Sequence, residues 1–361
     1  MSKIDDAKKQ LGELFIMGFN GLELSDETSA FISQAQIGGV ILFSHNYESP
    51  GQIAELTNQI QDCRHDLPLW ISVDHEGGRV QRFKKPFTKI PEGQVIGANG
   101  SAKLAFDVSE MIAMELKAVG VNLNFSPVAD IATNPKNPVI GARAFGAEEE
   151  LVTKMVTAFV RGHLLQGVLP CVKHFPGHGD TSTDSHFALP KVDDSLEVLR
   201  EREFKPFLKA FKSGCPMVMT AHILNPKLDA EKPATLSSKT LQDILRKELR
   251  FTKLIISDDM EMKAITDHFG KDLAPRMALQ AGCDLLIYRS EAATRAAYVS
   301  LTRDLENGDL DPNLILESAA RSRGVKTEFL DDYTPASVTD LGSKIGLPAS
   351  AELIKKLTEV S

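Results

Sequence analysis

Apolar residues recur along this chain in two alternating textures. Short runs rich in β-branched and apolar side chains fall at Leu14–Phe19, Gly39–Phe43, Leu69–Asp74, Val121–Val128, Leu169–His174, Pro216–His222, Leu254–Asp258 and Asp284–Tyr288. Longer amphipathic stretches lie between and after them, at Gly51–Cys63, Ala102–Ala118, Glu149–Gln166, Leu196–Lys212, Ser237–Leu249, Leu273–Ala281, Glu291–Glu306 and Asn313–Val325. Runs such as Val40-Ile41-Leu42-Phe43 and Leu254-Ile255-Ile256 are apolar at consecutive positions. Both faces of such a strand must be covered, as in a parallel sheet under helices. Eight strand–helix alternations over about 320 residues predict a (β/α)8 barrel of the TIM type. A doubly wound open sheet is the alternative, weakened because no Gly-x-Gly-x-x-Gly follows the first run. That first run, Leu14–Phe19, also fits the end of a helix. The pattern breaks at Asp331-Asp332-Tyr333-Thr334-Pro335, and Ala349–Val360 reads as a small amphipathic helix. Residues 1–330 are therefore assigned to the barrel. Residues 331–361 are assigned to an extension packed on it, too short for a second domain.

Composition narrows the function classes. Of 361 residues, 42% are hydrophobic and 25% charged, and the formal net charge is −8. With no basic block, binding to nucleic acid is not expected. No run of 18 apolar residues exists, so no membrane span is predicted. The polar start Met1-Ser2-Lys3-Ile4-Asp5-Asp6 lacks the apolar core of a signal peptide, which points to a cytoplasmic protein. Cys63, Cys171, Cys215 and Cys283 are far apart, without a Cys-x-x-Cys pair, and read as reduced thiols. No metal or cofactor is expected, and no coiled coil argues against a monomer.

The candidate chemistry gathers where the strands end. The run Lys173-His174-Phe175-Pro176-Gly177-His178-Gly179-Asp180-Thr181-Ser182-Thr183-Asp184-Ser185-His186 holds one lysine, three histidines and two aspartates. Two glycines and a proline prevent it from being one helix or strand. Burying so many ionisable groups without a use would be costly. In a barrel the loops after the strands carry the site, and other strands end in the same way. Asp74-His75-Glu76-Gly77-Gly78-Arg79-Val80-Gln81-Arg82 follows the third run, Asn124 to Asp130 closes the fourth, and Gly141-Ala142-Arg143 lies beyond it. His222 ends the sixth and Ser257-Asp258-Asp259-Met260 the seventh. Asp259 alone fits a helix N-cap or a supporting role.

Three chemistries fit these groups. Metal-dependent hydrolysis lacks a His-x-His pair in the early strands and any His-Glu-x-x-His; phosphate binding lacks a Gly-x-x-x-x-Gly-Lys-[Ser/Thr] loop. Glycoside hydrolysis needs a carboxylate on one side of the anomeric carbon, a proton donor on the other, and charged groups to grip hydroxyls. Asp258, the Asp184/His186 pair, Asp74, Arg82, Arg143, Lys173 and His174 supply those parts.

The same segments carry a family resemblance. Gly38-Gly39-Val40-Ile41-Leu42-Phe43, Val73 to Arg82, Phe125-Ser126-Pro127-Val128-Ala129-Asp130, Ile140 to Gly146, the whole 173–186 run, Ser257 to Met262 and Ala281-Gly282-Cys283-Asp284 occur in the order found in glycoside hydrolase family 3. They cover roughly residues 10–325, and the chain resembles the family's single-domain bacterial β-N-acetylhexosaminidases. The resemblance implies that Asp258 is the nucleophile, His186 the general acid/base and Asp184 its partner. Asp74, Arg82, Arg143, Lys173 and His174 match residues that hold an N-acetylglucosamine ring, and His178 and Asp180 match positions expected to shape the loop. It implies a cytoplasmic, retaining enzyme that removes terminal β-linked N-acetylglucosamine from muropeptide fragments during cell-wall recycling. Larger relatives bring a second domain with an acid/base carboxylate; here the proton donor must come from the barrel. A β-glucosidase, a glycoside phosphorylase or a catalytically silent sugar-binding protein are the alternatives. One departure is His45 before Asn46, where the family pattern leads one to expect a basic residue.

Overall fold

The computed structural model describes residues 2–64, 66–181 and 189–359. Eight strands, Phe15–Met17, Gly39–Leu42, Trp70–Val73, Leu123–Asn124, Leu169–Phe175, Met217–Thr220, Leu254–Asp259 and Leu285–Tyr288, follow one another around a closed barrel. All eight pairings are parallel, and the first strand closes on the last through Ile16 opposite Ile287. The (β/α)8 expectation holds, and each apolar run marks one strand, the fifth and seventh strands extending one residue past theirs. Leu14 ends a short 3-10 turn, Leu11–Leu14, and the strand starts at the next residue. The fourth strand pairs over two residues only; Pro127, which has no N–H to give a ladder, follows three residues after it.

Period-two alternation sorts the strand residues into two cores. Ile16, Ile41, Trp70, Leu123, Leu169, Cys171, Met217, Met219, Leu254, Ile256, Leu285 and Ile287 fill the barrel interior. Their neighbours Phe15, Met17, Val40, Leu42, Ile71, Val73, Val172, Val218, Ile255 and Leu286 pack outward with the helices. Two buried faces explain why the strand runs are apolar without alternation.

The outer helices Pro50–Gln61, Ala102–Ala118, Glu149–Gln166, Ala274–Ala281, Glu291–Asn307 and Pro312–Phe329 lie where the patterning placed them. Residues 196–212 are helical throughout but include a π turn at Leu199–Glu203, and Lys239–Glu248 is wound as a π-helix. Lys3–Gln10 and Asp26–Ala35, capped by the Ser2 and Ser25 side chains, are additional helices. So are Gly93–Asn99 and Lys263–Phe269. Pro348–Thr358 rests on the helices Ala102–Ala118 and Gly93–Asn99; Leu357 is buried, and Asn99 Nδ2 donates to its carbonyl at 3.1 Å.

The N-terminal end of the barrel is closed by a buried ion network. Glu13 accepts from Arg64 Nη1 at 2.7 Å and Ser322 Oγ at 2.7 Å, and pairs with Lys326 Nζ at 2.7 Å. Lys326 also donates to Gly38 O at 2.8 Å and lies 5.5 Å from the centre of the Trp70 ring. Polar groups at this end of such a barrel serve stability, leaving chemistry to the other.

Candidate active site

The inward rows turn polar as they leave the barrel at its C-terminal end. Trp70 and Ser72 lead to Asp74, Leu169 and Cys171 to Lys173, Leu254 and Ile256 to Asp258, and Leu285 and Ile287 to Arg289. The last member of each row lines a cavity of about 790 Å³. One alternation thus carries both the packed interior and the charged mouth.

Two bulges add residues that simple alternation would turn outward. Between the fifth and sixth strands, Val172 and Phe175 face Val218 and Thr220, so the fifth strand carries one extra residue. Between the seventh and eighth, Ile256 and Asp259 face Leu285 and Ile287, again with one extra residue. A bulge re-aims the side chains beside it. As a result the consecutive pairs Lys173/His174 and Asp258/Asp259 all border the cavity.

Glu76 organises the cations on one wall. It sits in the hairpin His75–Gly77/Val80–Gln81, which follows the third strand. Gly77, at φ +115°, makes the turn; a Cβ there would stand 2.3 Å from Pro91 O. Arg143 grips Glu76 with both arms, Nε to Oε2 at 2.8 Å and Nη2 to Oε1 at 2.7 Å. Lys173 Nζ lies 2.5 Å from Glu76 Oε1 and 2.7 Å from Asp74 Oδ1. Arg82 reaches Asp74 Oδ2 at 3.5 Å and lies over the Phe43 ring. Burial would raise the Glu76 pKa, but Arg143 and Lys173 override it and hold the carboxyl well below the usual range. Glu76 overcomes burial to raise Arg143, and Asp74 together with Glu76 does the same for Lys173, so all three groups stay charged.

Asp130, fully buried, orders the fifth-strand loop. Its Oδ2 meets His174 Nδ1 at 2.7 Å, and its Oδ1 accepts the backbone N–H of His174 at 3.2 Å and of His178 at 2.7 Å. Asp258 accepts the Asp259 N–H at 2.7 Å. Burial opposes its ionisation, but His174, His222, that N–H and Lys173 outweigh burial and lower its pKa. Asp259 behaves oppositely: burial pushes it up to about 7, with Glu261 and Asp258 adding and Arg289 opposing. It is a strand residue whose Oδ1 accepts Glu261 N at 3.0 Å, and the following helix is capped at Met262, so the N-cap expectation is corrected.

Asp74, Arg82, Arg143, Lys173, His174 and Asp258 thus come together around one cavity. Asp184 and His186 lie outside the described residues. His45 borders the cavity, stacked on Phe43 at 5.6 Å, while Asn46 behind it donates to Phe19 O and Gly21 O. Asp180 is exposed. Sequence reasoning quoted Glu76 and Asp130 within motifs but gave them no role. The available signal for Glu76 was its position two residues beyond Asp74, and for Asp130 its place at the end of the fourth apolar run.

Comparison with known proteins places this site in a family. The Glycosyl hydrolase family 3 N terminal domain matches residues 4–324, and the chain belongs to glycoside hydrolase family 3. Within it, the chain stands with enzymes named beta-hexosaminidase. It is 38% identical to the one from Methylococcus capsulatus over 307 residues, 83% of this chain and 89% of that protein. It is 35% identical to Beta-hexosaminidase A of Pseudoalteromonas piscicida, over 92% of this chain and 60% of that protein, so it spans less than two thirds of that relative. Among solved structures, a family 3 β-N-acetylglucosaminidase from Paenibacillus sp. str. FPU-7 superposes with TM-score 0.94 at 38% identity, covering 98% of this chain and 68% of that one. NagZ from Neisseria gonorrhoeae superposes with TM-score 0.77 at 28% identity, covering 97% and 98%. Among the described residues no helix is long and apolar enough to cross a membrane.

Proposed function

We propose that the chain is a retaining exo-β-N-acetylglucosaminidase that releases terminal N-acetylglucosamine from muropeptide fragments in the cytoplasm, as a monomer and without metal or cofactor. The observation that carries the reading is Asp258: a carboxylate held ionised in the wall of a cavity lined by Lys173, His174, Arg143 and Arg82. Asp258 attacks the anomeric carbon and forms a glycosyl ester as the C–O bond to the leaving group breaks. His186 gives its proton to the leaving oxygen, then takes one from the water that cleaves the ester. Asp184 holds the imidazole in the required tautomer. Asp74, Arg82, Arg143, Lys173 and His174 hold the sugar. Residues 1–330 form the catalytic barrel and 331–361 an extension against it, a division supported by the buried Leu357.

The test is turnover of 4-nitrophenyl β-N-acetylglucosaminide against the corresponding β-glucoside, with and without phosphate. The N-acetyl substrate should be preferred, water should be the acceptor, and Asp258→Asn should abolish turnover while a slow fluorinated glycoside labels Asp258 in the wild type. Labelling of Asp259 or Asp130, or faster turnover of the glucoside, would overturn the reading.

A further inference from the structure

His178 is held on every side but one. The residue borders the cavity and is only 2% exposed. The backbone N–H donates to Asp130 Oδ1 at 2.7 Å, and the carbonyl accepts from Asn137 Nδ2 at 2.7 Å. Nδ1 meets Thr181 Oγ1 at 2.7 Å, and the ring stands edge-on to His174 with centres 5.9 Å apart. The opposite ring nitrogen, Nε2, is buried and has no hydrogen-bond partner among the described residues. Other buried histidines differ. His163 spends both nitrogens, on Ser109 and Asn124. Among the described residues His75 also leaves Nδ1 unpaired, but it lies against Phe83 and Phe87 and is absent from the cavity wall. A buried polar atom left unpaired costs free energy that a suitable partner recovers.

We propose that His178 is a substrate-binding residue whose Nε2 exchanges a hydrogen bond with a hydroxyl of the sugar in this cavity. The inference rests on the glycosidase reading above and adds a contact that the family motif alone assigned to loop shape. The hydrogen-bond inventory selects the ligand group. Thr181 has one hydroxyl proton, with Nδ1 at 2.7 Å and His178 O at 3.0 Å as possible acceptors. If the carbonyl receives it, Nδ1–H donates to Thr181 and Nε2 is a bare acceptor. If Nδ1 receives it, Nε2 carries the proton and is a donor. A hydroxyl meets either requirement, whereas a carboxylate meets only the second and an ammonium only the first. Burial, with His174 and Arg143 nearby, keeps the imidazole neutral by lowering its pKa to about 4, against the pull of Asp130. The contact is therefore the same throughout the neutral range.

Two near-isosteric variants separate this role from a structural one. Asn at this position reaches about as far as Nδ1 and keeps a partner for Thr181, whereas Gln reaches about as far as Nε2. His178→Asn should lower kcat/KM for 4-nitrophenyl β-N-acetylglucosaminide about tenfold, the scale of one neutral hydrogen bond, and weaken binding of N-acetylglucosamine similarly. His178→Gln should stay within about threefold of wild type. The Asn defect should not vary between pH 6 and 8. A set of 3-, 4- and 6-deoxy glycosides then identifies the partner: removing that hydroxyl costs wild type about tenfold and costs His178→Asn nothing further. The reverse order, with Gln impaired and Asn intact, would return His178 to loop shaping, and so would losses that multiply for every deoxy sugar. If either variant fails to fold, the deoxy series on the other decides. Wild type that neither binds nor cleaves the N-acetylglucosaminide would instead refute the glycosidase reading itself.

Discussion

Replacing Glu76 by Gln should disarm the cation wall proposed to hold the sugar and weaken the fold at once. Glu76 makes three charge-assisted contacts, two to Arg143 at 2.7 and 2.8 Å and one to Lys173 at 2.5 Å. At roughly 1.5–3 kcal/mol each, their gross value is about 4–9 kcal/mol. Much of that is offset by desolvation of the three ions, and the relevant quantity is the cost of leaving two cations short of their counter-charge. For a buried pair broken from one side that is about 3–5 kcal/mol. Gln keeps one acceptor oxygen but turns an NH2 group toward a guanidinium or ammonium donor, so the substitution should fall inside that range. The pH dependence carries the same signature. The folded-state pKa of Glu76 lies below its ordinary 4.5, so its stabilisation is present above that value and is lost as pH falls toward the folded-state pKa. Urea unfolding at pH 7 should show the loss, and part of the wild type's acid sensitivity should be missing from Glu76→Gln. Affinity for N-acetylglucosamine should fall too, because Lys173 and Arg143 are no longer aimed. A destabilisation under 1 kcal/mol with unchanged affinity would refute the argument and reduce Glu76 to an ordinary surface partner of Arg143.

Three further outcomes follow from other parts of the molecule. Glu203 is buried beside Gly177, and burial, opposed by Arg202, raises its pKa from 4.5 to about 7. A raised folded pKa means its stabilisation is full below 4.5 and is lost as pH rises through 7, so Glu203→Gln should be near neutral at pH 5 and stabilising by roughly 2–4 kcal/mol at pH 8 in urea unfolding; equal effects at both values would refute this. Lys326→Met should cost about 3 kcal/mol by stranding part of the Glu13 charge, yet leave kcat/KM per folded molecule unchanged, because it closes the opposite end of the barrel; a selective loss of activity would contradict that separation. The surroundings of Asp258 put its own ionisation below the ordinary aspartate value of 3.8, and a carboxyl NMR titration that places Asp258 near 5 or above would refute that electrostatic argument.

What the sequence could and could not disclose follows from the strands. Alternation of strand-like and helix-like apolar runs pointed to a parallel sheet under helices, because each strand has two apolar faces, and the missing Gly-x-Gly-x-x-Gly tipped the choice from a doubly wound sheet to the barrel. The short helices Asp26–Ala35 and Lys263–Phe269 were missed because few of their residues are buried, so their apolar periodicity is faint. The cavity obeys the same logic up to a point. Asp74, Lys173, Asp258 and Arg289 continue inward rows already visible as Trp70-x-Ser72, Leu169-x-Cys171, Leu254-x-Ile256 and Leu285-x-Ile287. Counting by two from those rows finds them without any motif. His174 and Asp259 break the count, since each is the immediate neighbour of an inward residue. They reach the cavity because the strands slip by one residue against their partners at 172–175 and 256–259. A slip of register is a relation between two strands, and the sequence of either strand alone contains no trace of it. The hub residue was hidden for a related reason. Glu76 lies two positions past Asp74 on a hairpin rather than a barrel strand, and its worth comes from Arg143, 67 positions away. The groups most legible in the chain are thus those that strand parity aims. The least legible are those that a bulge or a distant partner aims, and in this site both kinds face the same cavity.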